Sequence, residues 1–288
     1  MTAGALKPIQ YLAIGHVTRD CLPEGGYAPG GTALYATATA ARLGARAALL
    51  TTAHPSHLPA RLPRVAIAGA ASTVTTTFEN RYDPAGRRQW LHALAPPVRL
   101  DWLPPAWRAA LVVHLAPVAG EVPLAWAAAF PHALVGVTPQ GWLRAWDAPL
   151  PALVRPAPWR PAAALLRHVD LIVLSIEDVG GDEDLARHYA RCCPLVAVTR
   201  GAAGATLYVA GAPRSVPPFP AVERDPTGAG DVFAAALLLR LWETGDALAA
   251  ATYASAAAAC AVEGSGLAAL PDRLTVEQRL LRGYRSSR

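Results

Sequence analysis

The residues best placed by type and spacing to do chemistry stand late in the chain. Asp225-Pro226-Thr227-Gly228-Ala229-Gly230-Asp231 runs directly into the apolar segment from Val232 to Arg240. Small residues let the backbone turn sharply, so successive N–H groups can point to one spot at the positive end of the helix that follows. Such a spot binds an anion. If that anion is a phosphoryl group in transfer, Asp231 in the first helical turn can accept the proton of the attacking hydroxyl. The competing reading is an ordinary helix start, with Asp chosen for its capping oxygen.

An anion hole needs a scaffold, and the flanking pattern predicts one. Tyr11 to Ile14 is a short apolar run ending in Gly15, a buried strand that delivers the chain to a loop carrying His16, Thr18, Arg19 and Asp20. After Pro29-Gly30-Gly31, the alanine-rich segment Thr32 to Leu43 reads as a helix with Gly44 at its C-cap, and Ala47 to Thr51 as the second strand. That βαβ opening implies a parallel sheet. Val74 to Tyr82 and Arg87 to Ala93, on either side of the turn cluster Asp83-Pro-Ala-Gly86, predict an inserted hairpin. Apolar runs at Leu111 to Leu115, Leu134 to Val137, Leu171 to Leu174 and Leu195 to Thr199, several separated by stretches able to form a helix, give a doubly wound α/β rhythm. Ala205 to Val209 and Arg214 to Val216 read as an antiparallel hairpin near the sheet's end, and Val232 to Trp242 and Asp246 to Val262 as helices. The prolines from Pro149 to Pro161 read as a surface connection.

Composition narrows the function. With 288 residues, 53% hydrophobic and 16% charged, the chain can bury one large core. The net charge of +5 comes from scattered arginines without a basic stripe, which argues against nucleic acid. Lys7 is the only lysine and precedes the first strand, which removes P-loop and Schiff-base chemistry. Cys21, Cys192, Cys193 and Cys260 form no C-x-x-C pair and read as reduced structural thiols. Gly15 opens no G-x-G-x-x-G, against a dinucleotide-binding oxidoreductase. The longest apolar run, Ala247 to Val262, is mostly alanine between Asp246 and Glu263, and Met1 to Gln10 lacks a signal-peptide core, so a cytoplasmic protein free of membrane is expected. His54, His57, His132 and His188 share no catalytic spacing and read as surface histidines. The tryptophans at 102, 107, 142, 146 and 159 read as core or lid packing.

The heptad closely resembles the signature of the PfkB (ribokinase-like) carbohydrate kinase family. Gly15 to Asp20 followed by Gly30-Gly31 is similar to that family's N-terminal substrate segment, and Val198-Thr-Arg-Gly201 with Gly204 to its nucleotide-binding strand and turn. Thr138-Pro-Gln-Gly-Trp-Leu-Arg144 resembles the Asp-x-Gln-x-x-x-Arg stretch of plant myo-inositol kinases in the family. The resemblance implies an α/β fold of three layers, α/β/α, with a mostly parallel central sheet. Residues 1–288 would form a single domain, with strands of a small β lid inserted at about 16–30 and 73–94. It further implies an ATP-dependent kinase acting on a hydroxyl of a sugar, cyclitol or nucleoside. Asp231 is then the base, and the amides of Gly228, Ala229 and Gly230 form the anion hole.

On the same grounds the polyol substrate falls to Asp20, Gly30, Gly31, Thr32, Gln140 and Arg144. ATP falls to Thr199, Arg200, Gly201, Gly204, Thr227 and Ser255, magnesium to Glu177 and Asp178, and a monovalent cation to the neighbourhood of Asp225. A homodimer through the lid is a further expectation. Three departures stand out: Ser175-Ile-Glu-Asp178 replaces the family's Asn-x-x-Glu, Ser255 replaces an asparagine, and Thr32 and Tyr35 replace the lysine and asparagine of ribokinases proper, which argues against ribose. The altered Asn-x-x-Glu leaves a catalytically weakened regulator on the same scaffold as the alternative. Asp20 suits a neutral vicinal diol. Arg19, Arg81, Arg87 and Arg88 keep a phosphorylated acceptor open.

Overall fold

A computed structural model describes residues 8–59, 62–83 and 86–286. In chain order come strands β1 (Tyr11–Ile14), β2 (Thr18–Cys21) and β3 (Tyr27–Gly30), helix α1 (Thr32–Arg42), and strands β4 (Ala47–Ala53), β5 (Val65–Ala71), β6 (Thr76–Asp83), β7 (Gly86–Ala93), β8 (Val112–Leu115) and β9 (Leu134–Val137). The short strands β10 (Arg144–Ala145), β11 (Ala152–Leu153) and β12 (Arg155–Pro156) precede α2 (Ala163–Leu166), β13 (Leu171–Ser175), α3 (Glu183–Cys192), β14 (Leu195–Thr199), β15 (Ala205–Val209) and β16 (Ala212–Val216). Helices α4 (Ala229–Thr244), α5 (Ala247–Ala261) and α6 (Arg273–Ser286) follow.

The main sheet has nine strands in the order β16-β15-β14-β13-β9-β8-β1-β4-β5, parallel except for the β15 and β16 hairpin at one edge. Strand alternation sends Tyr11, Ala13 and Leu49 into one core with α1, α4 and α5, and Leu12, Ile14 and Leu50 into a second core on the opposite face with α3. Burial on both faces explains why the central strands read as continuous apolar runs. Gly136 on β9 is needed because Leu238 of α4 occupies the space of a side chain there. From β1 the chain crosses through α1 to β4 on one side, while β8 later pairs on the other. The carboxyl ends of β1 and β8 therefore flank a topological switch point, where open α/β sheets bind ligands.

The expected architecture stands, with three additions. The inserted strands form a separate five-stranded sheet, β11-β7-β6-β2-β3, and β11 reaches it from the proline-rich segment that reads in sequence as a plain connection. β5 extends the main sheet beside β4, although Val-Ala-Ile-Ala-Gly-Ala-Ala carries too little bulk to announce a strand. Between β8 and β9 the chain makes only a 3₁₀ turn, Leu124–Ala129, in place of a crossover helix, since Pro123 and Pro131 bracket it. Among the described residues all four cysteines are free, and no helix is long and apolar enough to cross a membrane. Lys7, Pro84 and Ala85 lie outside the described residues.

Candidate active site

Helix α4 starts at Gly228, whose φ of 79° lies in the left-handed region, and no side chain caps it. A Cβ at Gly228 would collide with the Tyr35 ring of α1, so only glycine fits this turn. The approach is held by the N–H groups of Arg224 and Asp225, both donating to the Val262 carbonyl at 2.8 and 3.2 Å, and by Thr227 N–H donating to Asp225 Oδ1 at 2.9 Å. One expectation changes here. The Ala229 N–H closes the turn onto the Pro226 carbonyl at 3.1 Å, so it does not point at a ligand. Gly230 and Asp231 N–H remain for an anion, and the space beyond Gly230 is open. Helix α1 likewise starts at a glycine, Gly31 with φ 98°, and has no capping side chain. The Thr32 side chain hydrogen-bonds Asp231, so two helix N-termini without side-chain caps meet. Their dipoles add at that point.

Asp231 is the electrostatic centre. Burial pushes its carboxyl pKa up to about 7, against the Thr32 hydrogen bond and the Arg144 guanidinium, which favour the charged form, and together with the nearby carboxylates Asp178 and Asp20, which disfavour it. Residues 20, 32, 144, 178 and 231 are thus brought to one place from five parts of the sequence. A carboxyl group that titrates near neutrality is matched to general-base work.

Asp20 lies on β2 between Ala28 of β3 and Phe78 of β6. It folds over Gly30, where a Cβ would come within 2.5 Å of Asp20 Oδ2. Arg144 donates to the Val118 carbonyl at 3.2 Å and lies 5.5 Å from the Phe78 ring, spanning from the loop after β8 to the lid. Gln140 is half-buried in a 3₁₀ turn, Pro139–Trp142. Glu121 is a residue the sequence reading missed. Its buried carboxylate accepts the His16 N–H at 2.8 Å and the Val118 and Ala119 N–H groups at 3.1 and 2.8 Å, clamping the loops after β1 and β8 at the switch point. A lone glutamate among proline, alanine and glycine carries no spacing signal, so nothing in the sequence could have found it.

Several side chains assigned to ligands are committed within the protein. Arg200 pairs with Glu183 through two hydrogen bonds of 2.5 and 3.0 Å, and its Nε donates to Thr206, so its side chain links α3 and β15. Ser255 donates to the Pro217 carbonyl at 2.9 Å. Thr199 and Arg200 lead into the Gly201 to Gly204 turn, closed by Arg200 N–H on the Gly204 carbonyl at 2.8 Å. Thr227 is exposed just before the start of α4. Asp178 Oδ2 accepts the Ser175 N–H at 2.9 Å and Ser175 Oγ accepts the Glu177 N–H at 3.2 Å, a capping box that holds Asp178 while Glu177 faces solvent. No group of three His, Cys, Asp or Glu able to hold a metal occurs among the described residues.

In the lid, Arg19 donates to Thr77 and lies 4.0 Å from the Tyr27 ring centre, and Arg81 pairs with Glu79 at 2.7 Å. Those pairings weaken the case for a cation cluster awaiting a phosphorylated acceptor. Arg88 is exposed, and the Arg87 side chain lies outside the described residues. His57 is half-buried, tied to Thr75 at 2.9 Å and to Arg19 at 3.3 Å, and so departs from the surface reading. The tryptophans pack as expected. Trp142 and Trp159 stack at 5.0 Å, and Trp146 joins Phe78 and Leu91 under the lid.

Comparison with known proteins agrees with the fold. Residues 155–273 match the pfkB family carbohydrate kinases. A stretch of 77 residues, 26% of this chain, is 47% identical to the inositol 3-kinase of Oryza sativa subsp. japonica and covers 18% of that protein. The chain thus matches less than a fifth of that relative's length. Among solved structures, a pyrophosphate-dependent kinase in the ribokinase family, complexed with a pyrophosphate analog and myo-inositol, superposes with a TM-score of 0.78 at 21% identity over 93% of this chain and 99% of that one. Arabidopsis thaliana ribokinase complexed with ribose and ATP gives 0.70 at 18% identity over 95% and 99%. The fold is ribokinase-like. The resemblance to the PfkB kinases holds across the segment that carries the Asp225 to Asp231 heptad.

Proposed function

We propose that this protein transfers a phosphoryl group from a phosphoanhydride donor to a hydroxyl of a neutral cyclitol or sugar, with myo-inositol as the first acceptor to test. The observation that carries the reading is Asp231 at the meeting of two helix N-termini, with its pKa raised to about 7. Asp231 takes the proton of the acceptor hydroxyl as that oxygen bonds to phosphorus and the bond to the leaving anhydride oxygen breaks. The Gly230 and Asp231 amides stabilise charge on the group in transit. Asp20 and Arg144 bind the acceptor's other hydroxyls, and Gln140 lies on the same rim. The cyclitol preference draws support from the inositol 3-kinase likeness together with the Thr138 to Arg144 stretch.

Magnesium fits this arrangement, because it uses one or two carboxylates plus donor phosphates rather than a protein cage. Asp178, whose charge is felt at Asp231, would hold it. Bound there, it would neutralise charge on the donor phosphates. ATP is the expected donor. Pyrophosphate is a second reading, supported by the likeness to the pyrophosphate-dependent kinase and by Arg200 and Ser255 being occupied with protein partners. Incubating the protein and magnesium with ATP or pyrophosphate and with myo-inositol, ribose, fructose or adenosine, read by ³¹P NMR, tests both points. A phosphomonoester of myo-inositol is the expected product. Transfer to none of the acceptors from either donor would favour the regulator instead.

A further inference from the structure

A buried polar chain runs across the main sheet beneath α4, and neither the anion hole nor the acceptor clamp uses it. Tyr11 Oη lies 2.7 Å from His114 Nδ1, and His114 Nε2 lies 3.0 Å from Thr138 Oγ1. Tyr11 and His114 are fully buried, and Thr138 is 7% exposed. The register makes the chain climb. Tyr11 stands level with Val112 on β8 and His114 level with Gly136 on β9, so Thr138 lies one residue past the end of β9. Gly136 faces Leu238 of α4, and Thr138, two residues on, faces the same side. Two residues of strand rise are ~6.6 Å, or about four residues of helix, which sets Thr138 near the first turns of α4, where Asp231 is.

Counting protons fixes the direction of each bond. Tyr11 Oη has a hydrogen and His114 is its only partner among the described residues, so the arrangement that leaves no buried hydrogen idle has Tyr11 donating to Nδ1. His114 is then the Nε2–H tautomer and donates to Thr138 Oγ1, whose own hydrogen is left for another acceptor. The reverse order would bury the tyrosine hydrogen without an acceptor, which costs more than any gain. His114 is held neutral, its pKa lowered by burial to about 3, so this pattern persists across the working pH range.

We propose that Thr138 is an acceptor-recognition residue, its hydroxyl fixed as a donor to a substrate oxygen by the positioning residues His114 and Tyr11. The proposal rests on the acceptor-site reading above and adds to it a hydroxyl donor one residue past the end of β9, about one helical turn from Asp231 by the rise of α4. A site with both kinds of group discriminates between hydroxyls by what each can accept and donate.

Two measurements test it. In long-range ¹H–¹⁵N spectra of the protein, with His114 assigned through His114→Gln, the ring should show the Nε2–H tautomer, and Tyr11→Phe should shift it toward Nδ1–H. In kinetics with myo-inositol, Thr138→Val should raise the acceptor KM ~10-fold or more with the donor KM unchanged, as expected for loss of a buried hydrogen bond. Thr138→Ser should restore it, and Tyr11→Phe should raise it by a smaller factor. An Nδ1–H tautomer in the parent, or a Thr138→Val enzyme with the parent's acceptor KM, overturns the proposal. A parent that fails to phosphorylate myo-inositol counts instead against the cyclitol reading, and the tautomer then decides the direction of the chain by itself.

Discussion

The carboxyl group of Asp231 dominates at the scale of single residues, and its titration is the most accessible consequence. Since it must be ionised to act as a base, kcat/KM for the acceptor should rise with pH to a plateau, with a midpoint near the pKa of about 7. Replacing its neighbours should move that midpoint in opposite directions. Arg144→Gln removes a cation that favours the carboxylate and should shift the limb up, whereas Asp20→Asn removes a like charge and should shift it down. A limb that ignored both variants would belong to another group. The sign for stability is separate. A carboxyl whose folded pKa is raised contributes stability at low pH that is lost as pH rises through about 7, so Asp231→Asn should be at least as stable as the parent at pH 8. His114 has the opposite dependence, since its depressed pKa costs stability as pH falls below the unfolded value. Asp231 and Asp20 were legible because each sits in a local pattern. Glu121, His114 and Thr138 were not, because their partners are distant in sequence and only the sheet register brings them together.

The first turn of α4 shows how elements share the work of a motif. Gly228 is packed against the Tyr35 ring with a left-handed backbone, whereas Gly230 faces open space, though the sequence presents them as equivalent. Gly228→Ala should destabilise the protein by ~1–3 kcal/mol, through its left-handed backbone and the Tyr35 ring, measured as a shift of the urea midpoint. Gly230→Val should keep the circular dichroism spectrum and lower kcat, because its side chain meets open space where the anion approaches. Unfolding of the second variant, with loss of donor binding, would show that the turn is structural throughout. The alanine-rich helices α1 and α5 were readable from composition and caps, as was the strand rhythm. β5 escaped because small residues mask its alternation, and the layer between β8 and β9 escaped because prolines shorten a helical pattern to one 3₁₀ turn.

The whole molecule sets a parallel sheet against a lid sheet drawn from three stretches of chain, with Asp20 contributed by the lid and Asp231 by the helix beneath it. Arg144 touches both, through the Val118 carbonyl and the Phe78 ring. The architecture was foreseeable from the βαβ opening and the inserted hairpin. The third lid segment was not, because its pairing depends on where the long proline-rich excursion returns. This division makes the central claim a chemical one: lid and sheet bring the acceptor hydroxyl to Asp231. The most direct test is the kcat of Asp231→Asn against the parent at pH 8, with the donor and acceptor that the parent uses. Asparagine keeps the shape and cannot take the proton, so kcat should fall by roughly 10²–10⁴. Turnover close to the parent rate would reduce Asp231 to a helix-start residue and contradict the account.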